Sequence, residues 1–282
     1  MSRIAYVNGQ YVPHSHAAVH VEDRGYQFAD GVYEVVAVRN GHLVDLDPHF
    51  ERLERSLGEL DIEAPMSRAA LGFILKETVR RNRVTDGIVY LQITRGVAPR
   101  DHQFPAEASA AIVITARNAI PKVAQREAGI GVVSTPDIRW KRCDIKTIAL
   151  LPNVLAKQKA ADAGAYEAWQ VDLDGFVTEG SATNAWIVTQ DSEIVTRQTD
   201  EAILSGVTRL AVMALAEREG ITLIERPFSL EEAKTAKEAF LTSTTSNVMP
   251  VIEIDGSSIG NGHPGTVTRA LSELYERFAK GD

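Results

Sequence analysis

A single cysteine, Cys143, in a chain of 282 residues has no partner for an intrachain disulfide, which points to a reducing compartment and makes the cytoplasm the expected location. No apolar run is long enough to span a bilayer, and the N-terminal stretch lacks the basic-then-apolar order of a secretory signal. Positive charge is in deficit. Thirty Lys and Arg against 38 Asp and Glu give a net charge of −8, which argues against nucleic-acid or membrane partners while leaving room for a small anion site. Standard chemical fingerprints are missing as well: no Walker loop, no dinucleotide glycine motif, no paired-histidine zinc helix and no serine elbow. His14, His16 and His20 sit in a polar stretch and read as solvated. Asp172, Asp174 and Gly175 fail calcium-loop spacing and read as a hairpin turn, so no metal is expected.

The 44% hydrophobic and 24% charged composition can bury a sizeable core. Residues 4–12 predict a hairpin around Asn8-Gly9, and 32–46 a second one around Asn40-Gly41. Phe50, Leu53, Leu57 and Leu60 space out one face of a helix over 48–60, and 71–79 predicts another. Strands are expected at 87–94 and 110–115, with the polar loop 95–107 between them, a setting where sites tend to be built. Composition shifts over 119–129, which is expected to be a linker. Beyond it come strands at 130–134, 184–189, 193–196, 238–242 and 248–255, a hairpin over 169–177, and helices at 153–163, 207–219 and 266–280. The helix at 207–219 is expected to be strongly amphipathic, and Ser229 with Glu232 reads as a capping box. Strands outnumber helices and pair as hairpins, so the class is α+β with mixed sheets.

Five features carry chemistry, each with two readings. The hydroxyl run Thr242 to Ser246 follows a strand end and is either a polar turn or a set of phosphate ligands. Gly206-Val207-Thr208 opens a helix and is either a plain cap or an anion site at the positive end of the helix dipole. Arg52, on the first long helix, is either ion-paired or an anion ligand. Lys146 lies among apolar residues, where an ammonium either snorkels to water or loses its proton and becomes a nucleophilic amine. Glu179, in a small-residue turn, either caps that turn or bonds a heteroaromatic nitrogen.

Taken with Asp23-Arg24-Gly25, Asp30-Gly31-Val32-Tyr33-Glu34, His49-Phe50-Glu51-Arg52-Leu53, Thr178-Glu179-Gly180-Ser181, Gly206-Val207-Thr208-Arg209 and Ser243-Thr244-Thr245-Ser246, these residues make the chain resemble the fold-type-IV pyridoxal-phosphate aminotransferases over nearly its whole length. The resemblance implies a two-domain enzyme. A smaller N-terminal α/β sandwich would span 1–120 and a larger C-terminal mixed-sheet pseudo-barrel, the cofactor-binding domain, 121–282. It also implies a homodimer and pyridoxal 5'-phosphate as cofactor. Lys146 would hold that cofactor as a Schiff base and shuttle the proton, and Glu179 would pair with its ring nitrogen. Arg52, the amides of Val207 and Thr208, and the hydroxyls of Ser243 and Thr244 would hold its phosphate, with Leu204 against the ring. Ala182 departs from relatives that carry a hydroxyl there.

Within the family the substrate is expected from the loop Ala98-Pro99-Arg100-Asp101-His102-Gln103-Phe104-Pro105, where Arg100 and His102 can present donors to one carboxylate. That loop resembles the carboxylate trap of the D-amino-acid aminotransferase subgroup. By the resemblance, Tyr33, Arg100 and His102 would grip the substrate, with Arg100 and His102 serving the partner's site. The expected activity is ping-pong transfer of an amino group from D-amino acids such as D-alanine to 2-oxo acids such as 2-oxoglutarate. The alternatives are a branched-chain L-aminotransferase, an (R)-amine transaminase, an aminodeoxychorismate lyase, or a non-catalytic cofactor carrier.

Overall fold

The Asn8-Gly9 pair takes positive φ at both residues and turns β1 (Ile4–Val7) into β2 (Gln10–Pro13), as a two-residue hairpin requires. This hairpin edges one of two units in the computed structural model, which describes residues 3–120 and 122–281. Met1, Ser2, Asp282 and Pro121 of the expected linker lie outside the described residues. The first unit runs to Ile120 and also takes in Ile145–Ala149; the second holds the chain up to Asp144 and from Leu150 onward. The boundary read from sequence at 120/121 therefore misses one exchange, because five residues of the second stretch pack with the first.

In the first unit come α1 (Arg24–Phe28), β3 (Gly31–Arg39), β4 (His42–Leu43), α2 (Leu46–Glu59), α3 (Arg68–Asn82), β5 (Gly87–Thr94) and β6 (Ala111–Asn118). Six strands form one sheet in the order β2-β1-β6-β5-β3-β4, with every neighbouring pair antiparallel. Helices α2 and α3 lay Leu53, Leu57, Leu75 and Val79 on Val32, Val36, Val89 and Ile114. Each such side chain contributes about 1.5–3 kcal/mol by leaving water. Along β3 the pleat alternates: Val32, Glu34 and Val36 are buried, while Tyr33 and Val35 on the opposite face are half-buried. A carboxylate has thus been placed in an apolar row.

The second unit contains α4 (Val123–Ala128), β7 (Ile130–Pro136), α5 (Leu151–Asp162), β8 (Glu167–Val171), β9 (Val177–Gly180), β10 (Asn184–Val188) and β11 (Ile194–Thr196). It continues with α6 (Val207–Arg218), β12 (Leu223–Glu225), α7 (Leu230–Lys234), β13 (Glu238–Ser243), β14 (Asn247–Ile254), β15 (Ser257–Ser258) and α8 (Thr266–Lys280). Its sheet runs β12-β11-β10-β13-β14-β7-β8-β9, with β15 on β14, and is mixed: β11–β12, β14–β7 and β7–β8 are parallel. The crossover from β7 to β8 holds both the 145–149 excursion and α5. Trp169 and Phe228 fill one core, and Trp186 and Phe240 a second under α6 and α8.

Two local expectations are corrected. The stretch read as a linker folds into α4. Helix α6 is not cleanly amphipathic: its buried side includes Thr208 and Arg209, while Leu210 is 45% exposed. The capping box is half-formed. Ser229 Oγ accepts from Glu232 N–H at 3.0 Å, but the Glu232 carboxylate pairs with Arg226. Among the described residues no helix is long and apolar enough to cross a membrane.

Candidate active site

His49, Arg52 and Ser56 recur at three- and four-residue spacing and so share the face of α2 that meets β3. Arg52 Nε donates to Glu34 Oε1 at 2.8 Å and Nη2 to Glu34 Oε2 at 2.7 Å, a bidentate fork. His49 Nδ1 lies 2.7 Å from the same Oε2. Burial pushes the Glu34 carboxyl up, but the charge and hydrogen bonds of Arg52, the His49 bond and the charge of Lys146 together hold it at about 2. It is a fixed anion. Burial moves His49 the other way, below the ordinary imidazole range, against the pull of Glu34.

The segment carrying Lys146 lies along the start of β3. Tyr33 N–H donates to Lys146 O at 3.0 Å, Ile148 N–H to Gly31 O at 3.1 Å, and Lys146 N–H to Ser56 Oγ at 3.2 Å. Gly31 makes this possible, since a Cβ there would lie 2.6 Å from Ile93 O and 3.2 Å from Ile148 Cδ1. The half-buried Lys146 Nζ sits 4.3 Å from the Tyr33 ring centroid, and that ring stacks on Tyr90 at 5.8 Å. In turn the Tyr90 hydroxyl donates to Gln92 Oε1 at 2.7 Å.

Arg100 and His102 converge on a different ring. The Arg100 guanidinium is 4.5 Å from the Phe28 centroid, and the His102 ring is 5.4 Å from it. The loop backbone between them is pinned from below, because buried Arg24 donates from Nη1 to Asp101 O and from Nε to Asp30, both at 2.7 Å. Arg100 and His102 are exposed.

In the second unit Glu179, near the end of β9, is 7% exposed and takes donors from several elements. Arg139 donates to Oε1 through a short bond, while Asn184 Nδ2 and the Leu204 N–H each reach Oε2 at 3.1 Å. Arg139 is itself gripped by Asp137, Nε to Oδ1 at 3.0 Å and Nη2 to Oδ2 at 2.7 Å. Burial works against the Arg139 charge, and the two carboxylates raise its pKa in spite of that. Cys143 lies in the same field, its thiol pushed up to about 12 chiefly by burial, so it is a poor nucleophile.

Asn184 also leads to the anion features. A Cβ on Gly206, the residue before α6, would meet Asn184 Oδ1 at 2.1 Å, so any side chain there would displace the Asn184 amide. The N-cap of α6 is Gly206, which offers no side-chain cap, and the first amides of a helix lack intrahelical acceptors. Across the sheet Asn184 pairs with Thr242, so the hydroxyl turn after β13 lies at the same sheet end. Its five hydroxyls are not equivalent: Thr242 Oγ1 accepts from Trp186 Nε1 at 2.9 Å, and Ser246 Oγ lies 2.6 Å from Tyr166 Oη. Ser243 and Thr244 are half-buried and Thr245 is exposed.

Comparison with known proteins gives a consistent picture. The amino-transferase class IV family matches residues 31–254. D-alanine aminotransferase of Bacillus licheniformis is 43% identical, covering 95% of this chain and 94% of its own length. That of Staphylococcus haemolyticus is 38% identical, covering 97% and 96%. The T.th. branched-chain amino acid aminotransferase, solved complexed with N-(5'-phosphopyridoxyl)-L-glutamate, superposes with TM-score 0.92 at 26% identity, covering 100% of this chain and 95% of that one. The chain belongs to the class IV aminotransferase family.

Its fold is accordingly the α+β fold of that family. Of the residues singled out in sequence, Lys146, Tyr33 and Arg52 gather around β3 and α2. Glu179, Leu204 and the start of α6 at Val207 and Thr208 gather around Asn184, with Ser243 and Thr244 just beyond its cross-strand partner. Arg100 and His102 each lie against Phe28. Ala182 is exposed, and the neighbouring Ser181 hydroxyl turns to Glu167 instead. Sequence reasoning missed Asp137, Arg139 and Asn184. For the first two, the signal was a pair of opposite charges, Asp137 and Arg139, shortly before Lys146.

Proposed function

We propose that this enzyme is a D-amino-acid aminotransferase that works with pyridoxal 5'-phosphate as a cytoplasmic homodimer. The observation that carries the reading is Lys146: a half-buried amine pinned by its own backbone to β3 and Ser56 and held over Tyr33, near the fixed anion Glu34. The donor set fits the cofactor. An amine for its aldehyde, a buried carboxylate held by Arg139, Asn184 and the Leu204 amide for its ring nitrogen, and a helix start with a glycine at its N-cap for its phosphate are all present. When bound, pyridoxal phosphate supplies an aldehyde that links to amines and a protonated ring that draws charge from the reacting carbon.

The residues then have distinct tasks. Lys146 Nζ is the amine that would hold the cofactor's aldehyde, and it would serve as the base that takes the proton from the substrate Cα. Glu179, paired with Arg139, would accept from the ring nitrogen, and Leu204 would pack against the ring. By the family resemblance, Arg52, Val207, Thr208, Ser243 and Thr244 would hold the phosphate. Tyr33 serves its own chain's site and Arg100 and His102 the partner's, together gripping the substrate carboxylate. The near-full-length likeness to D-alanine aminotransferases supports the D-specific reading over the branched-chain one.

Lys146→Ala should erase both the visible absorbance of bound cofactor and turnover, and near-normal activity would overturn the assignment. With 2-oxoglutarate as acceptor, D-alanine should be consumed and L-leucine left untouched, read by chiral analysis of the products. The reverse preference would make this a branched-chain enzyme.

A further inference from the structure

The hydroxyl turn after β13 is wired to two lysines through one tyrosine. Lys122 Nζ donates to Tyr166 Oη at 2.5 Å, and Tyr166 Oη lies 2.6 Å from Ser246 Oγ. Ser246 N–H donates to Ser243 Oγ at 3.1 Å. Lys122 Nζ is 4.7 Å and Lys157 Nζ 5.0 Å from the Tyr166 ring centroid, so the ring carries two ammonium neighbours. Lys157 also donates to the Tyr166 carbonyl, which fixes the residue at both ends.

An ammonium can only donate, so Lys122 takes one acceptor site of Tyr166 Oη and leaves the phenol proton and a second lone pair for Ser246 Oγ, a contact that can run either way. The Ser246 amide donates to Ser243 Oγ in either case, and Ser243 Oγ also lies 3.4 Å from Thr245 Oγ1. Tyr166 therefore reaches Ser243 by holding Ser246 in place. We propose that Lys122 and Tyr166 are positioning residues that anchor Ser246 and, through its amide, hold Ser243 Oγ where it can donate to a phosphate. The proposal rests on the reading of Ser243 and Thr244 as phosphate ligands.

The test compares two probes on the full-length chain stripped of cofactor: pyridoxal phosphate and pyridoxal, which lacks the phosphate. Affinity is read from quenching of tryptophan fluorescence. Tyr166→Phe and Lys122→Met should each weaken pyridoxal phosphate about tenfold, the size of one lost charge-assisted bond, and leave pyridoxal unchanged. Lys122→Arg, which keeps a donor, should restore most of the difference. Equal weakening of both probes would mean a merely structural role and overturn the proposal. If Ser243→Ala loosens pyridoxal phosphate while Tyr166→Phe and Lys122→Met do not, the positioning role is wrong and the phosphate reading stands. If none of the three moves it, the turn is not the phosphate site and both fall.

Discussion

Glu34 and Arg52 form a bidentate ion pair across the β3–α2 packing, at 2.8 and 2.7 Å, with the carboxylate 2% exposed. A lone arginine on a helix would sample many rotamers. This one is oriented by a carboxylate that sits where the pleat should place a valine.

That arrangement has a pH signature. The Glu34 carboxyl is depressed from 4.5 to about 2, so its contribution to stability is fully present above pH 4.5 and is lost as pH falls toward 2. A depression of that size corresponds to about 3 kcal/mol. Glu34→Gln should therefore lower the urea midpoint clearly at neutral pH, and the gap to the parent should close as pH falls through this window. A gap independent of pH would mean that packing, not charge, is the contribution.

Arg139 bridges Asp137 and Glu179 with all three groups largely buried. Removing the shared cation leaves two carboxylates facing each other in a desolvated place, a loss of about 3–5 kcal/mol by analogy with broken buried pairs. Arg139→Met should lower the melting temperature strongly and shift the absorbance of bound cofactor. Asp137→Asn, which keeps an acceptor for Arg139, should do much less of both. Equal effects from the two variants would show that Arg139 does not act through Glu179.

Much of this site can be read in the sequence because its chemistry depends on residue type: a lysine among apolar neighbours, a carboxylate in a small-residue turn, a glycine before a helix. What could not be read depends on register. Glu34 meets Arg52 only because β3 places it on the α2 side of the sheet, and Arg139 reaches Glu179 across 40 residues. The excursion of Ile145–Ala149 into the first unit looks like any loop until Gly31 is seen to admit it. Five hydroxyls in a row look alike, yet Trp186 and Tyr166 claim the two ends and leave the middle open. Periodicity likewise placed α6 but misjudged its surface, since buried Arg209 finds its acceptors in Glu225 and the Arg197 carbonyl, far from its own helix in sequence.

Asp45 shows the opposite electrostatic situation. It stands before α2 at φ 53 with no side-chain capping bond, and burial raises its carboxyl from 3.8 to about 6. A raised acid favours the fold while protonated, so the penalty is absent below pH 3.8 and complete above about pH 6. Asn tolerates the same left-handed backbone and carries no charge. Asp45→Asn should raise the melting temperature at neutral and alkaline pH, with the gain vanishing in acid. A uniform gain across pH would point to backbone preference instead.

The loop carrying Arg100 and His102 depends on a residue from outside it. Arg24 is 3% exposed, is anchored on Asp30, and donates from Nη1 to the carbonyl of Asp101, the residue between Arg100 and His102. Its guanidinium lies 4.9 Å from the Phe28 ring that also receives Arg100 and His102. One planar fork thus fixes both the loop backbone and the platform under the Arg100 and His102 side chains. Lysine keeps the charge but cannot make two divergent bonds from one plane. If the loop grips the substrate carboxylate, Arg24→Lys should raise KM for D-alanine about tenfold, the loss of one charge-assisted contact, with kcat falling far less. Phe28→Leu should act in the same direction by removing the stacking surface. A fall in kcat with KM unchanged would place the effect in the chemical step, and the loop would no longer account for substrate binding.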